Sequence, residues 1–382
     1  MSTTAPKGFL ASGVAAGIKA ESKDLALVVN TGPEFHAAGV FTSNRFQAAP
    51  VTWSRAAIAD GRLKAVVLNS GGANACTGKA GYEDAVRTAA QVAKELEIDT
   101  EDVAVCSTGL IGVPLPMEAV LDGVRLAVAA LDSEGGPDAA EAIMTTDTVP
   151  KTVAYTNPAG WSIGGMAKGA GMLAPALATM LVTITTDALI SQPALEKALR
   201  LACSITFDRT DSDGCMSTND TVLILANGAS GVVADEDDFT IMLAQVCWTL
   251  AHKLIKDAEG AEHDIEVQVV GAASEADALE AARAIARSNL FKCAVFGNDP
   301  NWGRVLSAVG TTSAQFDPEH VDVFFNGVPV FLDGQPGADR AEVEFARDVI
   351  VQVRLHAGDD SATVWTNDLT YGYVKENAEY SS

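Results

Sequence analysis

Apolar residues along this chain fall into two rhythms. Short unbroken apolar runs bounded by Gly, Pro, Asn or Asp lie at 25–30 (LALVVN), 39–42 (GVFT), 64–69 (KAVVLN) and 103–107 (VAVCS), which is the pattern of strands buried on both faces. Between them, helical spacing marks 82–96, where Ala85, Ala89, Val92 and Leu96 share one face, and 139–144. Further on, Ser191 and Pro193 open a helix at 194–201, and a long helical pattern runs over 235–257. From Ile265 the rhythm reads as β-α-β: IEVQVVG, a helix capped at Ser274 with Asp277 three residues on, then KCAVF as the next strand. Four alternating segments, VDVFFN, VPVFLD, VIVQVRL and ATVWTNDLT, complete a sheet covered on one side. The pattern predicts an α/β (α+β) protein, with a first body over 1–260 and a C-terminal α/β lobe over 261–382.

The centre of this pattern is 164–188, GGMAKGAGMLAPALATMLVTITTDA, where a glycine-rich stretch is followed by Pro175 and then a β-branched run. Thr179 stands at the start of that strand. Its hydroxyl, behind a loop that lets backbone approach closely, can attack the carbonyl of Ala178 and cut the chain. A terminal threonine then carries nucleophile and base together, because a free α-amine titrates at about 7.7–8.0. On spacing alone, Thr179 is also one strand threonine among Thr183, Thr185 and Thr186.

Composition narrows the partners. The chain has 382 residues, 48% hydrophobic and 20% charged, enough for a large interior. Fifty acidic against 26 basic residues give a net charge of −24, which disfavours nucleic acid and anionic membranes. No apolar run reaches the roughly 18 residues of a membrane span, and the start MSTTAPKGF lacks signal-peptide character. The six cysteines are scattered without a C-x-x-C pair, so reduced thiols and a cytoplasmic location are expected.

Other candidate chemistry sits at strand ends. Ser70 to Gly78 is a glycine-rich turn, but neither nucleotide-binding glycine pattern is present, and no cofactor is expected. Thr108 and Gly109, at the end of VAVCS, form a strand-end turn whose hydroxyl and amide can also be offered to an oxyanion. Cys106 beside them reads as a core residue. Lys168 can supply a cation for a substrate carboxylate or stand as a solvated loop lysine, and Glu259, after the long helix, reads from its own pattern as a helix-end acid at the surface. The acidic run 207–220 is no calcium loop, since Arg209 falls at the first ligand position when Gly214 takes the glycine position. No metal is expected there.

Several of these segments together resemble the ornithine acetyltransferase (glutamate N-acetyltransferase) family. Lys168 to Met172 fit its lysine-glycine-x-glycine-methionine, and Ala178 to Leu181 its alanine-threonine-methionine-leucine. Thr108-Gly109, the TTDT run from Thr145, Asp213-Gly214, Ser217 to Asp220, Glu259, the DPNWGR run and the closing YVKENAEYSS follow in the same order, so the resemblance extends from Gly8 to Ser382. Gly72 stands where the family usually has asparagine, and Cys215 replaces a usually polar residue. The resemblance implies an αββα sandwich of the N-terminal-nucleophile type, autocleavage between Ala178 and Thr179, and assembly of the fragments as an α2β2 heterotetramer. It implies Thr179 as nucleophile, Thr108 and Gly109 as oxyanion hole, and Thr145, Lys168, Glu259, Asn377 and Ser382 as substrate contacts. It further implies acetyl transfer from N-acetylornithine to glutamate with release of ornithine, with acetyl-CoA left open as a co-substrate. DPNWGR is read as a structural turn beside the site. A hydrolytic aminopeptidase or amidase with the same nucleophile is the alternative, and a phosphate-binding module is a weaker one.

Overall fold

The computed structural model describes residues 2–172 and 180–379. Ala178, Thr179 and Ser382 lie outside the described residues. The chain opens with β1 (Phe9–Val14), β2 (Leu25–Asn30), β3 (His36–Phe41), α1 (Ala49–Ala57), β4 (Ala65–Asn69), α2 (Gly78–Leu96), β5 (Val103–Ser107), α3 (Met117–Ala129) and α4 (Gly136–Ala142). It continues through β6 (Lys151–Thr156), β7 (Ser162–Lys168), β8 (Leu181–Thr186), α5 (Gln192–Ile205), β9 (Thr221–Ala226) and α6 (Glu236–Lys256). The last third holds β10 (Asp264–Ala272), α7 (Glu275–Ala286), α8 (Asn289–Phe296), α9 (Trp302–Val309), β11 (Asp322–Phe325), β12 (Val328–Leu332), β13 (Gln335–Pro336), β14 (Asp348–Arg354), β15 (Asp360–Asn367) and α10 (Tyr371–Glu379).

These strands form three sheets, ordered β1-β2-β4-β5, β3-β9-β8-β7-β6 and β13-β12-β11-β14-β10-β15. The protein is thus mixed α/β. The apolar runs explain the layering. In β8 and β9, Leu181, Leu223 and Leu225 face a core shared with the first sheet and α2, α3 and α4, while Val182, Ile184, Val222 and Ile224 face a second core with α5 and α6. Period-two alternation in a strand buried on both faces therefore places two sheets back to back, with helices outside. The third sheet has its own core with α7, α8 and α9, built from Ile265, Val267, Val323, Val351 and Val364 among others.

Local sequence sets the element ends. Ser191, Asp235 and Ser274 each cap a helix by accepting a backbone amide, with Pro193 just inside the first. Two expectations need correction. KCAVF is not a strand: Ser288 accepts the Phe291 amide and starts α8, whose Phe291 and Val295, four apart, pack into the third core. Likewise Gly164 and Gly165 are not loop glycines but sit inside β7, paired with Ala154 and Val153 of β6. A side chain at Gly164 has no room, since a Cβ there would lie 2.1 Å from the carbonyl oxygen of Ser2.

Candidate active site

Strand ends from both stacked sheets meet at one edge of the sandwich. The parallel pair β4–β5 ends at Asn69 and Ser107, directly before the Ser70–Gly78 turn and Thr108-Gly109. In the other sheet β7 ends at Lys168, whose register partner is Leu181 at the start of β8, and β8 runs parallel to β9 with Leu181 beside Thr221. The connection from Gly169 to Met180 therefore leaves and re-enters the sheet at this edge, and the sequence places Thr179 one residue before Met180.

A cleft opens there. Thr108 and Gly109, Thr145, Lys168, Glu259 and Asn377, from five separate segments, all line it. Gly109 needs its glycine: at φ 124° a Cβ would lie 2.6 Å from the Gly71 carbonyl carbon. A Cβ at Gly171 would sit 2.6 Å from the Glu259 carboxylate, so that side chain packs directly against the Gly171 backbone. Asn219 ties the walls together, its Nδ2 donating to the carbonyls of Ala73 (2.6 Å) and Ser107 (2.8 Å).

Lys168 is the positive charge of the cleft and is only 2% exposed. Its Nζ donates to Thr145 Oγ1 at 2.7 Å and to Thr108 Oγ1 at 3.3 Å. Burial lowers its pKa, against the pull of Asp147 and with help from Lys151. Asp147 lies beneath. Its Oδ1 accepts from Lys151 Nζ and from the Gly169 amide, each at 2.6 Å, and its Oδ2 accepts from the Thr145 amide at 3.0 Å. Lys168 Nζ is 3.9 Å from the same Oδ2. Burial alone would raise this carboxyl, but Lys168, Lys151 and the Gly169 amide overcome it and hold it at about 2. Lys151 also donates to Asp257 at 2.5 Å, and Asp257 accepts from the Thr148 amide and hydroxyl. One buried carboxylate thus sets the positions of Thr145, Gly169 and Lys168.

Across the cleft, Glu259 follows α6 and is anchored by its amide, which donates to the Ala170 carbonyl at 2.9 Å. Asn377 of α10 donates to Glu259 Oε2 at 2.9 Å, bringing the chain's last helix back to the site. A second chamber, lined by Lys292, Tyr373 and Asp368, shares Glu259 with the first.

The acidic run braces its own turn and brings its end to the cleft: Asp211 accepts from the Gly214 amide and the Arg287 side chain, Asp213 accepts from the Met172 and Cys215 amides, and Ser217, Thr218 and Asn219 line the cleft. Among the described residues, no group of His, Cys, Asp or Glu is arranged to hold a metal ion. Cys106 is buried and its thiol is pushed up to about 12 by that burial. The DPNWGR run does not sit beside the site. Asn301 caps α9, Trp302 stacks on Phe331 at 4.7 Å in the third core, and none of its residues lines either chamber. Among the described residues no helix is long and apolar enough to cross a membrane.

The ArgJ family matches residues 10–382 of the chain. The chain belongs to the ArgJ family. The arginine biosynthesis bifunctional protein ArgJ of Streptomyces avermitilis is 59% identical over 384 residues, spanning all of both chains. The ArgJ of Thermobifida fusca is 57% identical over the same length, again spanning all of both. The ornithine acetyltransferase of Mycobacterium tuberculosis, crystallised with ornithine, is 55% identical, with 47% of this chain and 96% of that chain covered and a TM-score of 0.45.

In this ArgJ chain the sequence pointed to Thr145 of the TTDT run but not to Asp147 two residues on, nor to Lys151 or Asp257. An acid and a lysine four apart, in a stretch that leads into a strand, was the available signal. Replacing Asp147 with alanine leaves the fully buried Lys151 and Lys168 without it, and is expected to cost about 3–5 kcal/mol in a denaturant titration. The pH dependence follows in sign. The Asp147 carboxyl is lowered from 3.8 to about 2, so its contribution is complete above pH 4 and is lost as pH falls toward 2. The variant's acid-unfolding curve is correspondingly flatter across that window.

Proposed function

We propose that the chain is a self-cleaving glutamate N-acetyltransferase that moves acetyl from N2-acetyl-L-ornithine to L-glutamate. Family membership gives the frame. The convergence of Thr108, Gly109, Thr145, Lys168, Glu259 and Asn377 on one cleft, at the connection that carries Thr179, is the observation that supports it most.

In this reading Thr179 Oγ attacks the Ala178 carbonyl and the chain is cut into 1–178 and 179–382. The new α-amine, with an ordinary pKa of about 7.7–8.0, takes the proton from Oγ. Oγ then attacks the acetyl carbonyl of N-acetylornithine, and the oxyanion is held by the Thr108 hydroxyl and the Gly109 amide. Ornithine leaves with that proton on its amine. Glutamate's α-amine attacks acetyl-Thr179 in turn, and N-acetylglutamate departs. Lys168 and Thr145 receive the carboxylate that both substrates carry, and Glu259 with Asn377 receives an ammonium. Ser382 completes the binding side. Water is kept from the acyl intermediate between the two halves.

The same acetyl-Thr179 can be loaded by acetyl-CoA, which extends the reading to a second donor without a bound cofactor. The two fragments stay associated, since β7 and β8, on either side of the cut, are paired in one sheet. An α2β2 assembly, a division near residue 260 into sandwich and C-terminal lobe, and a cytoplasmic location belong to the same proposal. Assays with N-acetylornithine and acetyl-CoA separately, reading acetylglutamate against free acetate, test it. Acetate formation without transfer makes the protein a hydrolase instead.

Replacing Glu259 with glutamine removes the charge opposite the ammonium. KM for N-acetylornithine is expected to rise by roughly 10- to 150-fold, the equivalent of about 1.5–3 kcal/mol for a hydrogen bond to a charged group. Steady-state kinetics check it.

A further inference from the structure

We propose that Lys19 is a positioning residue for the carboxylate end of the cleft, acting through Thr145 from behind the cleft wall. Its place is built on one buried acid. Asp24 is 0% exposed, and its carboxylate accepts the amides of Ala16 at 2.6 Å, Gly17 at 3.1 Å, Ile18 at 2.6 Å and Lys19 at 2.8 Å. Four amides on one carboxylate fix the turn 16–19, and the Asp24 carbonyl accepts the Ser70 amide at 2.9 Å. The turn therefore lies against the glycine-rich connection that follows β4. There Gly71 has φ 99°, and a Cβ on it would lie 2.9 Å from Cγ of Lys19. With no side chain at that point, the lysine stem crosses directly over the backbone.

From that crossing Lys19 Nζ donates to the Met144 carbonyl at 2.9 Å. The peptide unit it grips is the one that joins Met144 to Thr145. Ser70 Oγ holds the same segment two residues earlier, donating to the Ala142 carbonyl at 2.7 Å. Thr145 is thus fixed from behind by Lys19, by its own amide on Asp147, and at Oγ1 by Lys168 Nζ at 2.7 Å. Lys19 itself lies outside the lining of the cleft. Burial is the largest influence on its ammonium and lowers its pKa, while Asp24, Asp147 and Glu141 pull the other way. An apolar side chain would fill the same space without the cost of desolvating a cation, so what the cation adds is its hold on Met144.

This inference rests on the reading above that Thr145 and Lys168 receive the substrate carboxylate. Without the Lys19 ammonium, the segment 142–147 keeps the Ser70 bond at Ala142 and the bond between Thr145 and Asp147, but loses the hold between them. Thr145 Oγ1 is then no longer fixed for a carboxylate. The cost falls on binding, because ornithine, N-acetylornithine and glutamate carry that carboxylate in ground state and transition state alike.

Purified wild type, Lys19→Met, Lys19→Arg and Lys23→Met are compared by calorimetric titration with L-ornithine and by steady-state acetyl transfer. Methionine keeps the stem over Gly71 and removes the donor and the charge, whereas arginine keeps both. Kd for ornithine is expected to rise roughly 10-fold in Lys19→Met, the lower end of what a charge-assisted hydrogen bond is worth. KM rises alike, with kcat little changed and a melting temperature close to that of the wild type. Lys19→Arg recovers most of the affinity. Lys23, four residues on, carries the same charge but pairs with Asp138 and Glu141, each at 2.7 Å, so Lys23→Met leaves Kd where it was. In a Thr145→Val background, Lys19→Met adds little, because both act on one contact. Unchanged affinity in Lys19→Met overturns the proposal, as does an equal loss in Lys23→Met, a loss that arginine fails to recover, or a full further loss in the Thr145→Val background. A wild type that binds ornithine with this dependence on Lys19 but moves no acetyl overturns the proposed activity and leaves the role of Lys19 standing. A wild type with no affinity for ornithine overturns both.

Discussion

Thr179→Ala leaves the protein as one uncut chain and abolishes acetyl transfer. Without Oγ there is no attack on Ala178, so the α-amine that serves as base is never released. Both the nucleophile and its proton acceptor vanish with one oxygen. Losses of this kind in covalent catalysis reach on the order of 10⁴–10⁶-fold, because the residues act as a unit. Thr179→Ser keeps the hydroxyl and is expected to restore cutting and part of the transfer. Intact mass separates the variants, since an alanine variant cut after Ala178 contradicts the role given to Thr179.

Thr108→Val carries the next largest effect. Lys168 donates to Thr108 Oγ1, which occupies a lone pair of that oxygen and leaves the hydroxyl hydrogen available to another acceptor. In the proposed mechanism that acceptor is the oxyanion formed when acetyl is attacked. Valine matches the shape of threonine and removes the hydroxyl, both its donor and the acceptor of Lys168, which keeps its bond to Thr145. A fall in kcat of roughly 10²–10³-fold is expected, the loss found when one oxyanion donor is removed elsewhere, with KM little changed. Pre-steady-state acetylation of the cut protein reads it directly. A KM effect alone would place Thr108 in ground-state binding instead.

Much of this architecture is legible in the sequence, for identifiable reasons. LALVVN and VAVCS are unbroken apolar runs, and they are strands buried on both faces. Ser191, Asp235 and Ser274 announce helix starts because their side chains can do little else before a helical pattern. β7 was obscured because its glycines weaken strand propensity while its neighbours crowd out any side chain. KCAVF misled because four apolar or small residues after Lys292 fit either period, and only Ser288 and the partners of Phe291 decide between them. At the site, the family resemblance singled out Thr108, Gly109 and Lys168, which on their own pattern read as a strand-end turn and a loop lysine. Asp147, the buried carboxylate that holds the Thr145 and Gly169 amides and lies beneath Lys168, looked like any surface acid until the fold enclosed it.

The most direct measurement is mass spectrometry of the purified protein, quenched within one turnover after mixing with N-acetylornithine carrying an isotope-labelled acetyl group. The account predicts two fragments, 1–178 and 179–382, with the label on the side-chain oxygen of Thr179 and lost when glutamate is added. An intact 382-residue chain that transfers acetyl, or label carried on any other residue, contradicts it.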